Sequence, residues 1–432
     1  MNRIRKKTVA VPVTAAALTL GLLLAGCAED GDGGTDGGKD GKKPPASAKK
    51  PHGYVPGAEE AAEQQSRLVL GDSDSGSGDV VVLDLIDEKT RPLGRMGEDA
   101  ELVTDGRFAY AGSGGGARVF DSGAWMVDHG DHVHYYRAEP KDVGRVKGDE
   151  PRHVYSSASL TALTLADGTA RIVDHARLEK GSVRVTATLD DAGRGPVVPL
   201  GENVLVPVEG AEESGGSGKG GGDTVVEVRD GKGERTTTLG EKCPGLRGAA
   251  VTRAGVVYGC ADGALFVTER KGKVHAERIP FGRKVPDGER PRAFHHRSQG
   301  TTLTATAGDK GVWVLDVAER EWKLIETGPV EAVNSAGEGT PLLALHGDGT
   351  LKAYELSGGK KDGEEIASRK VLAGKSRAKD VARSVIEVDA SRAYVNDTAA
   401  KKVYEIDYND GLRKARSFSL DLTPSQMVET GR

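Results

Sequence analysis

Short alternating runs of apolar and polar residues recur through the body of the chain, from about residue 66 to residue 432. Each run follows a Gly/Asp-type turn, spans four to six mostly β-branched or apolar residues and ends in an acid, as strands bounded by turn residues do. Eight copies occur, and they end at Asp84, Asp121, Asp174, Asp230, Glu269, Asp316, Glu355 and Asp407. The 323 residues from the first end to the last make seven steps of about 46 residues, the size of a four-stranded propeller blade.

Further strand-type runs lie between the copies, and most of them precede a copy by a tight turn, as in a hairpin. No amphipathic pattern of helical period lasts more than a few turns. The sequence therefore predicts an all-β protein, a β-propeller of eight blades, or of seven if one copy is an insertion, because the steps range from 37 to 56 residues. Propellers protect their sheet edges by closing the ring, so we expect Pro424–Glu429 to pair with the first blade near Arg67–Gly71.

The first 65 residues do not fit this pattern. Residues 1–27 have four basic residues followed by an apolar run from Val9 to Leu24, too short and too early for a membrane span and typical of a secretory signal peptide. Residues 28–65 consist mainly of Gly, Asp, Lys, Pro and Ala. Such a composition cannot offset its ordering entropy and predicts a flexible tether. Residues 66–432 then form the propeller domain.

Charge and cysteine content narrow the classes of function. The formal net charge is −5, and removal of four basic residues with the signal peptide takes it to about −9, which disfavours nucleic acid as a partner because that needs a basic face. Of the three cysteines, Cys243 and Cys260 lie in the body of the chain. In an exported protein they can persist as a disulfide, and a lone pair without Cys-x-x-Cys spacing is a poor zinc motif.

Candidate chemistry concentrates in one stretch, DHGDHVHYY, from Asp128 to Tyr136. It holds three of the ten histidines of the chain within six residues, namely His129, His132 and His134. Neutral imidazole is the commonest nitrogen ligand of a borderline metal. In an extended segment His132 and His134 point to the same face because side chains alternate, and a bend at Gly130 would bring His129 toward them. The spacing predicts a metal site of three nitrogens.

The sequence does not decide which residue would be the fourth ligand of such a site. Asp128 and Asp131 lie in the same stretch, and a carboxylate can either complete a tetrahedral set or accept a hydrogen bond from a coordinating imidazole. A distant histidine is the other option. The alternative to a metal site is an exposed strand whose histidines are simply solvated.

Two parts of the sequence resemble known families of bacterial proteins. The ending Leu24-Ala25-Gly26-Cys27 resembles the lipobox of bacterial lipoproteins, which implies cleavage before Cys27 and its lipidation as a membrane anchor. Residues 66–430 resemble the AztD-type zinc metallochaperones, exported bacterial propellers that hand zinc to the solute-binding protein of a zinc ABC importer. The resemblance is densest in three segments: Trp125–Ala138, Cys243–Gly263 and Arg392–Asp407.

The AztD-type resemblance implies a function and a ligand set. It implies Zn(II) as cargo, an extracytoplasmic monomer, no enzymatic activity, and zinc ligands at His129, His132 and His134. His153 falls where the family tends to keep a histidine and is a candidate fourth ligand, in competition with Asp128 and Asp131. The sequence departs from the family in two places. Arg247 stands where relatives have a histidine. The tether contains a single histidine, His52. Both departures predict weaker or altered zinc handling, or a protein that keeps the fold without the zinc cargo.

Two further functions stay open from the residues alone. A metal-dependent hydrolase would need an open coordination position and a neighbouring base such as Asp131. A non-metal interaction module on the cell surface would need neither, because propellers support enzymes, receptors and scaffolds alike.

Overall fold

The structure is a computed structural model that describes residue 55 and residues 57–129, 132–193, 195–209, 224–356, 359, 361–372 and 378–431. The predicted signal peptide, the lipid attachment at Cys27 and the larger part of the predicted tether lie outside these residues. Among the described residues, we find no helix with the length and apolar character that crossing a membrane requires.

The described residues form 34 strands and four short helices. The first ten strands are β1 Glu59–Ala61, β2 Arg67–Gly71, β3 Asp79–Asp84, β4 Thr90–Arg95, β5 Leu102–Thr104, β6 Phe108–Ser113, β7 Gly116–Asp121, β8 Ala124–Asp128, β9 Val133–Arg137 and β10 Lys141–Lys147. The next twelve are β11 Pro151–Ser156, β12 Leu160–Leu165, β13 Ala170–Asp174, β14 Val185–Leu189, β15 Val198–Leu200, β16 Asn203–Glu209, β17 Thr224–Asp230, β18 Arg235–Thr238, β19 Arg247–Thr252, β20 Gly255–Cys260, β21 Gly263–Arg270 and β22 Lys273–Pro280. The last twelve are β23 Thr302–Thr306, β24 Val312–Asp316, β25 Glu321–Ile325, β26 Ala332–Ser335, β27 Leu342–Leu345, β28 Thr350–Tyr354, β29 Glu365–Lys370, β30 Ile386–Val388, β31 Ala393–Asp397, β32 Lys402–Asp407, β33 Arg413–Ser419 and β34 Gln426–Thr430. The α-helices are α1 His175–Glu179 and α2 Ala378–Val381, and the 3₁₀ helices are Asp287–Glu289 and Gly308–Lys310.

These strands form nine antiparallel sheets in the described part of the chain. Eight of them follow one another along the sequence and are named sheets 1 to 8: β34-β2-β3-β4, β5-β6-β7-β10, β11–β14, β15–β18, β19–β22, β23–β25, β26–β29 and β30–β33. The ninth, named the inserted sheet, has the order β1-β9-β8, and its strands β8 and β9 interrupt sheet 2 between β7 and β10. The predicted all-β class is confirmed.

The eight copies of the sequence repeat fall one to a sheet. They lie at the ends of β3, β7, β13, β17, β21, β24, β28 and β32. In each four-stranded sheet this is the third strand. Sheet 6 has only three named strands, because an isolated bridge from His295 to Thr304 stands where its first strand would be.

Hydrophobic clusters fill the spaces between consecutive sheets. Because each sheet packs on both faces, a middle strand such as β6 is buried over its whole length and reads as a nearly continuous apolar run. Val82 of sheet 1 shares a cluster with Phe120 of sheet 2, and equivalent clusters join each later pair of sheets. The last cluster joins Phe418 of sheet 8 to Leu83 of sheet 1. The core is therefore a series of inter-sheet layers.

The C-terminal strand pairs with the first strand of sheet 1. β34 runs antiparallel to β2, from Arg67 opposite Thr430 to Gly71 opposite Gln426. The pairing partner is the one that the sequence predicts, although the strand begins at Gln426 and not at Pro424. Asp72 supports this junction, because its carboxylate accepts a hydrogen bond from the Thr423 amide at 3.0 Å.

The expected disulfide between Cys243 and Cys260 is present. Both residues lie in the buried cluster between sheets 4 and 5. The bridge therefore fastens the segment that leads into β19 to the end of β20.

Candidate metal site on the inserted sheet

The base of the inserted sheet is fixed to sheet 1 by a buried arginine. Arg67 forms an ion pair with Asp84 at 2.9 Å. It also donates to the carbonyl oxygens of Ser122 and Ala138, which flank β8 and β9. Gly123 has φ +75°, and a Cβ there would come within 2.3 Å of the Ala138 carbonyl, so only glycine fits this crossing of two chain segments.

A hairpin of β8 and β9 extends from this base. The two strands pair from Ala124 opposite Arg137 to Asp128 opposite Val133. At the end of the hairpin the His129 amide donates to the His132 carbonyl at 2.9 Å. This hydrogen bond places the two histidines across the turn from each other, and His134 follows two residues later on β9.

The three histidines come together at the end of this hairpin. Their ring centroids are 5.0, 5.2 and 4.8 Å apart, and one nitrogen from each ring lies within 4.8 Å of the others. His132 Nε2 and His134 Nε2 are 3.0 Å apart. Zinc–nitrogen bonds of about 2.0–2.1 Å in a tetrahedron place nitrogens on the order of 3.3 Å apart. One pair of nitrogens is already near this spacing, and the three rings would have to move until all their nitrogens reach it before they could hold one zinc ion.

A carboxylate from β1 contacts one of these rings. Glu60 Oε1 lies 2.6 Å from His134 Nδ1. An ionised carboxylate only accepts hydrogen bonds, so His134 donates from Nδ1, and its Nε2 is the nitrogen that faces His132. Glu60 reaches this position because β1 pairs with β9, with Glu60 opposite Tyr136.

The rings of His134, Tyr136 and Trp125 form a stacked column. Tyr136 lies between His134, at 6.2 Å between centroids, and Trp125, at 5.3 Å. Arg107 lies 4.0 Å above the Trp125 ring and forms ion pairs with acids of the main body, including Asp121 at 3.5 Å. Burial, and secondly the charge of Glu60, raise the pKa of Tyr136. The column links the histidines to sheet 2.

The structure does not bring every predicted ligand to this group. Asp128 ends β8 and lines a cavity of about 470 Å³. His153 is half-buried on β11 in sheet 3 and lines a second cavity, of about 830 Å³, where burial and then the charge of Arg152 lower its pKa. Asp131 lies outside the described residues. Among the described histidines, cysteines and acids, the ligand set that comes together is His129, His132 and His134.

Arg247, the departure from the family pattern, lies with His153 and not with the three histidines. It lines the same second cavity, and its guanidinium pairs with Asp287 at 3.3 Å. The positive charge at residue 247 therefore acts at a different place from the hairpin group.

Sequence reasoning missed Glu60. It is 74 residues from His134 and falls in the segment predicted as a tether, which therefore ends in a strand. The run Glu59-Glu60-Ala61 has no buried side chain and no apolar alternation to mark it as a strand. Its order comes from pairing with β9, a contact that no local pattern reveals.

Comparison with known proteins finds solved structures of similar fold. No protein-family model matches the sequence, and no curated protein does. AztD from Citrobacter koseri is similar in structure, with a TM-score of 0.69 and 21% identity over 85% of this chain and 98% of that one. Apo AztD from the same organism has a TM-score of 0.70 and 20% identity, over the same fractions of the two chains. Dihydro-heme d1 dehydrogenase NirN has a TM-score of 0.50 and 15% identity, over 86% of this chain and 76% of that one. The chain therefore has an AztD-type fold.

Proposed function

We propose that this protein is an extracytoplasmic zinc metallochaperone. It holds one Zn(II) on His129, His132 and His134 and delivers it to the solute-binding protein of a zinc ABC importer. The observation that carries the proposal is the convergence of three imidazoles on an exposed hairpin of a chain with the AztD-type fold.

The ligand chemistry favours zinc as the cargo. Three imidazole nitrogens with no thiolate among them suit Zn(II), and Zn(II) has no redox chemistry that the protein would have to support. Copper would still bind tightly in vitro, as the general order of metal affinities requires.

The exposure of the site favours a carrier over an enzyme. His129 and His132 are exposed and His134 is half-buried, so an acceptor protein can reach the metal and replace its ligands one at a time. Three protein ligands leave a fourth position for water or an incoming ligand. A hydrolase would bury its substrate in a shaped cavity beside the metal. A cavity does lie next to this hairpin, at Asp128, but none of the three histidines lines it.

The scaffold in this proposal is a closed propeller of eight blades, with sheets 1 to 8 as the blades. Three observations support it. Each sheet carries one copy of the sequence repeat, a hydrophobic cluster lies between every pair of consecutive sheets, and β34 pairs with β2.

The proposal also places the protein at the membrane. Residues 1–27 would be a lipoprotein signal peptide, Cys27 would carry the lipid anchor, and the residues that follow would tether the propeller within reach of the importer. The support is the Leu24-Ala25-Gly26-Cys27 ending and the composition of the following segment.

Equilibrium zinc binding tests the proposal. We expect the mature chain to bind one Zn(II) in competition with a chromophoric chelator. The His132→Ala/His134→Ala variant should bind more than about 100-fold more weakly, since even outer-shell changes cost 10–100-fold. A matched control is His275→Ala/His346→Ala, which removes two histidines outside the inserted sheet and should bind as the wild type does.

Transfer to the partner separates a carrier from a store. The zinc-loaded chain is mixed with the zinc-free solute-binding protein in the presence of excess chelator. We expect zinc to reach the partner faster than it dissociates spontaneously, at a rate that rises with partner concentration. Absence of zinc binding by the wild type, or transfer no faster than dissociation, would contradict the proposal.

A further inference from the structure

The three-residue strand β1 connects the N-terminal segment to the metal site. It contributes no ligand to the histidine group, yet it supplies the carboxylate that contacts His134. We propose that Glu60 is a positioning residue for His134 and that β1 is a detachable strand, which raises the metal affinity of the site when it is docked on β9 and lowers it when it is displaced. This inference rests on the proposed function.

The contact with Glu60 decides which nitrogen of His134 can bind a metal. A histidine has two ring nitrogens, and the hydrogen bond made by one decides which is available to a metal. Glu60 accepts from Nδ1 of His134, so Nε2 is left as the ligand atom, and Nε2 is the nitrogen that faces His132. A carboxylate in this position orients the ring and increases the basicity of the ligand. Glu60 is thus suited to increase affinity without touching the metal.

The strand β1 is weakly attached to the rest of the protein. It makes three residue pairs with β9, and none of its side chains is buried. Glu59 adds an ion pair with Arg137, with 67% and 46% of the two side chains exposed, and exposed pairs contribute little to stability. A segment with few buried apolar contacts opens at a low free-energy cost. By contrast, β34 makes five pairs with β2 and is buried.

Detachment of β1 from β9 would change both the metal site and the edge of the sheet. When β1 leaves, Glu60 leaves with it, and His134 loses the acceptor that holds its ring. The same event exposes the edge of β9, whose unpaired backbone groups accept an extended peptide segment. The class of partner that fits is therefore a strand-forming segment of the receiving protein, which would displace β1 and weaken the site as the metal is transferred.

Substitution of Glu60 tests the positioning role. We expect Glu60→Gln and Glu60→Ala to lower zinc affinity by about 10–100-fold, the usual effect of losing an outer-shell partner. Glu63→Gln removes a nearby charge without touching the site and should leave the affinity unchanged, which controls for general electrostatic attraction. Nuclear magnetic resonance of the zinc-free chain gives a second readout. The His134 ring should carry its proton on Nδ1 in the wild type, and Glu60→Ala should shift it toward Nε2.

A cross-link tests the detachable strand. Ala61 and Tyr135 are directly paired, and paired residues of antiparallel strands lie within the Cα range of a disulfide. In oxidised Ala61→Cys/Tyr135→Cys we expect unchanged or tighter zinc binding and transfer to the solute-binding protein at least several-fold slower than in the matched Ala61→Ser/Tyr135→Ser variant.

The outcomes distinguish this inference from the proposed function. If the wild type binds zinc and both Glu60 variants bind equally well, the positioning role is wrong and the carrier function stands. If the cross-linked chain transfers zinc as fast as its control, the detachable strand is wrong. If the wild type binds no zinc, the proposed function is wrong. The role of Glu60 in zinc affinity is then wrong as well, even if His134 carries its proton on Nδ1.

Discussion

The eight sheets and the inserted sheet are built in opposite ways. In sheets 1 to 8 the middle strands are buried along most of their length, and neighbouring sheets share continuous apolar clusters. The inserted sheet has three short strands, of which β1 has no buried side chain, and it carries two exposed histidines at its tip. The candidate metal site therefore lies on the less buried part of the molecule, and the buried sheets form the scaffold that carries it.

The two regions meet at two buried arginines. Arg67 fixes the chain segments that enter and leave the hairpin, and Arg107 lies against Trp125 at the foot of the ring column. The inserted sheet is therefore rigid at its base and accessible at its tip. A carrier needs this combination, because the ligands must be positioned and an acceptor must still reach the metal.

Truncation at the two ends of the described chain should give the largest difference in stability between the two regions. Removing residues 424–432 deletes β34 and with it Met427 and Val428 from two inter-sheet clusters. The loss of two buried side chains and a five-residue ladder approaches the roughly 5–15 kcal/mol of a whole domain, so we expect no cooperative thermal unfolding by circular dichroism. Removing residues 55–62 deletes β1 alone and should leave the transition nearly unchanged. Equal effects of the two truncations would contradict the contrast.

The disulfide should affect the scaffold without affecting the site. Cys243 and Cys260 are 17 residues apart, and a loop of that length predicts a loss of about 3 kcal/mol on removal. We expect Cys243→Ala/Cys260→Ala to lower the urea midpoint accordingly and to bind zinc as the wild type does. Loss of zinc affinity in this variant, with the fold retained, would show that the two regions are coupled.

A smaller effect, dependent on pH, is expected at the junction of β2 and β34. Burial raises the pKa of Asp72, but hydrogen bonds from Ser75, Thr423 and Asp74 outweigh it and lower the pKa overall. A lowered folded-state pKa gives stability that is present above the unfolded-state value and is lost as the pH falls through the folded-state value. Asp72→Asn should therefore cost about 1–3 kcal/mol at pH 7 and almost nothing at strongly acidic pH.

Urea unfolding at pH 7 and in strong acid measures this difference. The exposed Asp79, at the start of β3, gives the matched control, and Asp79→Asn should have little effect at either pH. A difference between wild type and Asp72→Asn that persists unchanged in acid would be inconsistent with a role for the Asp72 carboxylate.

Much of the scaffold could be predicted from the sequence because its signals are local. The alternation and turn residues that end at Asp84 or Asp407 mark the same strand of each sheet, and the spacing of copies gives the size of the unit. The missing first strand of sheet 6 could not be predicted, because the segment around His295 makes only one bridge and its sequence does not show where pairing stops.

The site was predictable only where its residues are neighbours in sequence. His129, His132 and His134 converge because one hairpin turn holds all three. Glu60 could not be found, since its role depends on a strand pairing across more than 70 residues. The same limit applies to His153, for which sequence position suggested a fourth ligand, whereas the fold places it in sheet 3 at a separate cavity.

X-ray absorption at the zinc edge would show directly whether the three hairpin histidines hold one cation. The mature chain is loaded with one equivalent of Zn(II) and compared with the His129→Ala, His132→Ala and His134→Ala variants. We predict three imidazole nitrogens at about 2.0–2.1 Å in the wild type and the loss of one imidazole in each variant. A spectrum with fewer than three imidazoles, or one that the three substitutions leave unchanged, would contradict the account.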